Sequence, residues 1–127
     1  FHIICDESLE KIFVFSNPRT FGHICMIIID NAIEIAQQRH IKNPNIKIYA
    51  FENENNIEII FEDNCNGIYQ KPIKLIFELE VSSHNDKSRG SGLAIAKMLV
   101  ESKMGGSIEV ENIENGAQFK LKLPKNI

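Results

Sequence analysis

With 127 residues, 43% of them apolar and 24% charged, the chain can build one core and has the balance of a soluble globular protein. A net charge of −3 without any basic block argues against a nucleic-acid surface. No apolar run approaches the roughly 20 residues of a membrane span, and the N-terminus lacks the layout of a signal peptide.

Cys5, Cys25 and Cys65 are odd in number, scattered and without metal spacing, which fits reduced thiols in a cytoplasmic domain. Phe1 opens inside an apolar run with no initiator Met, so residues 1–127 read as one domain of a longer chain. Short apolar runs at 1–5 and 12–15, around Asp6-Glu7-Ser8, predict two edge strands. Asn17-Pro18 then predicts a helix start, with Asn as the cap and Pro in the first turn. Phe21, Ile24, Cys25, Ile28, Ala32, Ile35 and Ala36 follow at helical spacing and define a buried face. His23, Ile27, Asn31 and Glu34 share a strip beside that face, where a side chain borders the core yet can reach a ligand.

The helix ends by Asn43-Pro44. Residues 46–51 and 57–62 predict strands joined by the polar turn Asn53-Glu54-Asn55-Asn56. Pro72 to Phe77 holds a short helix at most. From Glu78 to Arg89 periodicity vanishes and a polar loop is predicted. A loop of about a dozen residues inside a small domain is more often functional than idle. A helix is predicted over 92–104, stopped by Gly105-Gly106. Ile108 and Val110 alternate with Glu109 and Glu111, Asn115-Gly116 signals a hairpin turn, and Phe119, Leu121 and Leu123 alternate with lysines. The order predicts an α+β fold: a two-layer α/β sandwich with one mixed sheet and helices on one face.

Residues 63–106 carry the chemistry. Asp63-Asn64-Cys65-Asn66-Gly67-Ile68 is a strand end turning into a glycine loop. Ser88-Arg89-Gly90-Ser91-Gly92-Leu93 puts two glycines at the start of an apolar helical pattern. Backbone N–H groups and a positive dipole end meet there, which suits a phosphate. A carboxylate on one glycine loop and a phosphate cradle on another are the two ends of a nucleotide site.

Four boxes in order give the chain a resemblance to the ATP-binding catalytic domain of sensor histidine kinases, in the superfamily of gyrase, the Hsp90 chaperones and MutL. They are Asp30-Asn31-Ala32-Ile33-Glu34-Ile35-Ala36; Asp63 to Gly67; Ile76-Phe77-Glu78; and Gly90-Ser91-Gly92-Leu93 followed by Ala94-Ile95-Ala96-Lys97 and Met104-Gly105-Gly106. The resemblance implies a Bergerat-type fold that binds ATP with Mg²⁺. Asp63 would accept a hydrogen bond from the adenine amino group, and Asn31 would bind the metal. Gly67 and Ile68 would lie along the base. Gly90, Ser91, Gly92 and Leu93 would form the phosphate end. The 79–89 loop would be a lid that orders over nucleotide, with Lys87 and Arg89 as its phosphate contacts.

As implied partners, the resemblance supplies an upstream dimerisation and phosphoacceptor domain, a response regulator, and a homodimeric full-length protein. It also implies a cytoplasmic domain without membrane contact, whether or not the full-length protein is anchored in the inner membrane. No catalytic residue is expected within the chain, because none of its four histidines has a phosphoacceptor's acidic neighbour in a helix.

The chain departs from the pattern at named positions. Ile27 stands where a second Asn is usual, or where the ATP-hydrolysing relatives carry a water-activating Glu. Cys65 replaces the first Gly of the first glycine box, and its side chain could narrow the adenine pocket. Ser88 and Ser91 alter the second glycine box, and Leu79-Glu80-Val81-Ser82 replaces the usual continuation after Phe77. Two other readings therefore stay open: a degenerate, pseudokinase-like module acting through protein contacts, and a serine kinase of the anti-sigma-factor type.

Overall fold

The computed structural model describes residues 1–11, 18–78 and 87–125, with the backbone alone at 10–11 and 87–91. Five strands make one sheet: β1 (His2–Cys5), β2 (Asn45–Glu52), β3 (Asn56–Asp63), β4 (Ser107–Ile113) and β5 (Gly116–Pro124). Their order is β1-β2-β3-β5-β4. β1 runs parallel to β2 and every other pair is antiparallel, so the sheet is mixed. Two helices, α1 (Pro18–Arg39) and α2 (Lys87–Lys103), and two 3₁₀ turns at Glu7–Lys11 and Ile73–Phe77 complete the fold.

The layering follows from strand alternation. Ile46, Ile48 and Ala50 of β2 lie on the same sheet face as Ile57, Ile59 and Phe61 of β3 and Phe119, Leu121 and Leu123 of β5. All of them join one core with Ile24, Ile28 and Ala32 of α1 and Leu93, Ala96 and Val100 of α2. Each fully buried aliphatic or aromatic side chain contributes about 1.5–3 kcal/mol, so this one face supplies most of the drive to fold. The opposite face is polar: Tyr49 Oη and Gln118 Nε2 donate to Glu62 Oε2 at 2.9 and 2.7 Å, and Lys120 lies 3.6 Å from Glu58. Both helices thus pack on one side of a mixed sheet, as the element order predicts.

Two boundaries differ from the sequence reading and a third is not described. The apolar run at 12–15 lies outside the described residues, while the run at 1–5 does form an edge strand. α2 starts at Lys87, not at residue 92. Its first turn, Lys87-Ser88-Arg89-Gly90, carries no apolar residue, so a burial period could not reveal it. Lys87 and Arg89 therefore belong to a helix and not to a lid loop, and 79–86 lie outside the described residues. In the hairpin, Ile113 pairs with Gly116, which leaves Glu114 and Asn115 as the two-residue turn. Asn115, at φ +63°, supplies the left-handed residue, and Gly116 is already part of β5.

Candidate functional site

Asp63 closes β3 on the helix-facing side and is only 7% exposed. Its Oδ1 accepts from the backbone N–H of Cys65 at 3.0 Å and of Ala117 at 3.2 Å. Among the described residues no donor reaches Oδ2. Burial pushes the carboxyl above its ordinary 3.8, although the two backbone N–H groups and the nearby Arg39 pull the other way. The result is a rigidly held carboxylate with one oxygen committed to the fold and the other available to a ligand.

The loop after Asp63 is tied down residue by residue. Asn64 Oδ1 accepts from the Asn45 N–H at 2.9 Å, and its Nδ2 donates to the Asn43 carbonyl at 3.0 Å. Cys65 turns inward, with Sγ 3.8 Å from the Ala32 carbonyl oxygen of α1. Its sulfur is thereby absorbed between loop and helix, and burial together with the Asp63 charge pushes the thiol up to about 11. Asn66 (φ +71°) donates its N–H to the Asn115 carbonyl at 3.0 Å.

Gly67 has φ +80°, and a Cβ there would stand 2.9 Å from Asn112 Oδ1, so both conformation and space call for glycine. Asn112 of β4 brackets the next residue: its Oδ1 accepts from the Ile68 N–H at 2.7 Å and its Nδ2 donates to the Ile68 carbonyl at 3.0 Å. From the opposite side comes Arg39, the last residue of α1. Its Nη1 donates to the Cys65 and Gly67 carbonyls at 2.6 Å each.

α1 passes the loop at Ala32 and Arg39, and the residue before Ala32, Asn31, is half-buried and one turn after Ile27. Its amide has no hydrogen-bond partner among the described residues. Ile27 packs against the core, and a Cβ on Gly92 of α2 would sit 3.6 Å from its Cγ2. That contact brings α2 beside the Ile27–Asn31 strip of α1. Glu34 is half-buried, while His23, placed by its spacing on the same strip bordering the core, is exposed.

The early start of α2 changes the roles of its glycines. The amides at the start of a helix have no intrahelical acceptor, so in α2 those of Lys87, Ser88 and Arg89 lack one, while Gly90 is the first whose N–H can reach a carbonyl four residues back. Gly92 lies in the second turn, where an α-helical N–H pairs with the carbonyl four residues back. Leu93 is buried in the core and Ile68 packs against it. Phe77, from the weak third box, is also a core residue, edge-to-face with Phe119 at 6.2 Å between ring centroids. The structure puts Asp63, Gly67 and Ile68 on one stretch of chain and brings Gly92 of α2 against Ile27, one turn before Asn31 on α1. Arg39 and Asn112 escaped the sequence reading. A basic residue in the last helical turn was the one available hint for Arg39, and nothing in the sequence marks Asn112.

This sandwich, with its sheet order and helix layer, has the fold of histidine kinase catalytic domains. The catalytic domain of the histidine kinase ThkA, in a nucleotide-free form, superposes with a TM-score of 0.77 and 25% identity, covering 98% of this chain and 78% of that one. The mycobacterial sensor histidine kinase MprB shares the fold alone, with a TM-score of 0.74 at 21% identity over 98% of this chain and 80% of its own. The chain belongs to the histidine kinase-, DNA gyrase B- and HSP90-like ATPase family, whose profile matches residues 16–127.

Among relatives, a probable C4-dicarboxylate sensor kinase of Halalkalibacterium halodurans is 29% identical over 99 residues, which are 77% of this chain. The sensor protein CitS of the same organism is 35% identical over 102 residues, or 78% of this chain. The chain spans 18% of the length of each of these relatives. Among the described residues no helix is long and apolar enough to cross a membrane.

Proposed function

We propose that this domain binds ATP with Mg²⁺ and presents the γ-phosphate to a histidine on a separate dimerisation domain, as the catalytic part of a two-component sensor kinase. The observation that carries the reading is Asp63: a buried carboxylate, fixed through one oxygen by two backbone N–H groups, with the other oxygen open. An acceptor held in this way matches the exocyclic amino group of adenine and repels the carbonyl that guanine carries there.

Asn31 supports the metal end. Asn is a poor residue for a helix interior, yet this one is half-buried with an amide that has no partner among the described residues. No group of three His, Cys, Asp or Glu side chains among the described residues could hold a metal ion alone. That suits Mg²⁺, which accepts one or two protein oxygens and takes the rest of its shell from phosphate and water. Asn31 would be the residue that holds the ion, whose chemistry there would be neutralisation of phosphate charge. The chain's own share is to fix the adenine at Asp63, hold the 65–69 backbone beside it, and offer the unpaired amides of α2's first turn to the phosphates.

The proposed partners follow from the same reading: an upstream phosphoacceptor domain, a homodimeric full-length protein and a response regulator. ThkA itself has been captured in complex with its response regulator TrrA. Titrating the domain with a non-hydrolysable ATP analogue, with and without Mg²⁺, tests the proposal. Saturable binding strengthened by Mg²⁺ is expected; no binding in either condition would favour the pseudokinase reading.

A further inference from the structure

At the C-terminal end of α1 the guanidinium of Arg39 gathers three groups from one loop. A single nitrogen, Nη1, donates to the carbonyls of Cys65 and Gly67, 2.6 Å from each. The guanidinium carbon also lies 3.7 Å from the centroid of the Tyr69 ring. Tyr69 is 67% exposed, so its ring is held against the domain chiefly by this stacking. The loop needs such a partner. Asn66 and Gly67 are successive left-handed residues, which turns the Cys65 and Gly67 carbonyls toward one point. Two carbonyl oxygens converging without a donor between them repel and leave acceptors unpaired. A left-handed non-glycine persists only where its surroundings over-determine it. Arg39 supplies the donor, and its charge also complements the negative end of α1.

We propose that Arg39 is a positioning residue for base recognition: it sets the backbone from Cys65 to Gly67, and through it the geometry with which Asp63 meets the base. The inference rests on the nucleotide-binding reading above. It goes further in placing selectivity for adenine partly in a cation that touches neither base nor phosphate. Asn112 holds the far side of the same loop through Ile68, so Arg39 acts on a segment already anchored at its exit. Removing Arg39 then loosens 65–67 without detaching the loop.

The variants Arg39→Met and Arg39→Lys, with Tyr69→Leu as a third, test this in the 127-residue chain. Affinities for ATP and GTP and amide exchange at Asn66 and Ile68 are measured on each. Arg39→Met should weaken ATP by about tenfold and GTP little, so that the ATP-to-GTP preference narrows. Arg39→Lys should recover part of the loss, since an ammonium can donate to both carbonyls but cannot stack as a plane on Tyr69. Tyr69→Leu should lie between Arg39→Lys and the parent.

Equal weakening of ATP and GTP would mean a merely structural role and overturn the inference. So would an Arg39→Met variant that folds, keeps its amide protection and binds ATP as the parent does. If Arg39→Met fails to fold, the Lys and Tyr69→Leu variants decide: an unchanged ATP-to-GTP ratio in both overturns it. A parent that binds neither nucleotide sinks the functional reading first and this inference with it.

Discussion

Gly116 and Asp63 meet through their backbones: a Cβ on Gly116 would fall on the Asp63 carbonyl oxygen. Gly116 has no left-handed φ, so the position calls for glycine because of space. This close approach sets the start of β5 beside the end of β3, and the next N–H, from Ala117, reaches Asp63 Oδ1. Site geometry and strand pairing therefore depend on one missing methyl group.

Gly116→Ala should force β5 off β3 at this end. Overpacking of that kind costs roughly 1–3 kcal/mol, and the Ala117–Asp63 hydrogen bond should be lost with it. Gly22 offers a control of opposite sign, because a Cβ there meets nothing within 4 Å and the residue lies inside α1. Gly22→Ala should stabilise by about 0.4–1 kcal/mol. Urea denaturation of both variants checks the pair, and a stable Gly116→Ala domain would refute the proposed contact.

Asp63→Asn isolates the ligand-facing oxygen. An Asn side chain can keep its carbonyl on the Cys65 and Ala117 N–H groups, so the fold should hold. It then turns an amide donor toward the base where a carboxylate acceptor stood. Loss of a hydrogen bond to a charged group is worth roughly 1.5–3 kcal/mol, or about tenfold to a hundredfold in ATP affinity. Calorimetric titration reads this directly, and an unchanged affinity would remove Asp63 from the site.

Acidification should act on binding and stability in opposite directions. The folded-state pKa of Asp63 is raised above 3.8, chiefly by burial. Its contribution to stability is thus fully present below the unfolded value and is lost as pH rises through the folded value. Binding needs the ionised form, so the ATP-affinity advantage of the parent over Asp63→Asn should begin to shrink while pH is still above 3.8. Comparing parent with variant cancels protonation of the phosphates. An advantage that stays constant down to 3.8 would show that no raised carboxyl governs binding.

What could be read from the sequence was whatever burial writes into it. Strand patterning marks β2, β3 and β5: in β3, Ile57, Ile59 and Phe61 face the helices, with Glu58 and Glu62 on the other side around a buried Ile60. The apolar stripe of α1 was equally legible. Lys87 to Gly90 was not, since a helical turn that buries nothing leaves no periodic trace. Arg39 stayed hidden for another reason: its partners are backbone carbonyls 26 and 28 residues away, and a carbonyl has no residue identity to read. Cys65 was legible as a departure from a glycine, but its inward turn onto Ala32 depends on how α1 passes the loop.

Ile27 sets the limit on what the domain does alone. It is half-buried, packs against the core and faces Gly92, with no polar atom to orient a water at that point of α1. Activation of a water there requires a polar side chain, so on the proposed reading the domain should not hydrolyse ATP steadily by that route. Transfer within the domain has no better prospect. His2, His23 and His40 are exposed, and none forms a hydrogen bond through its side chain to another described residue. His84 lies outside the described residues. The chain incubated with ATP and Mg²⁺ should therefore bind nucleotide, release phosphate slowly at most, and carry none on histidine. Mass spectrometry under conditions that preserve phosphohistidine checks this. Phosphate on any of the four would mean that the acceptor lies inside the domain, and would overturn the division of labour with a separate phosphoacceptor.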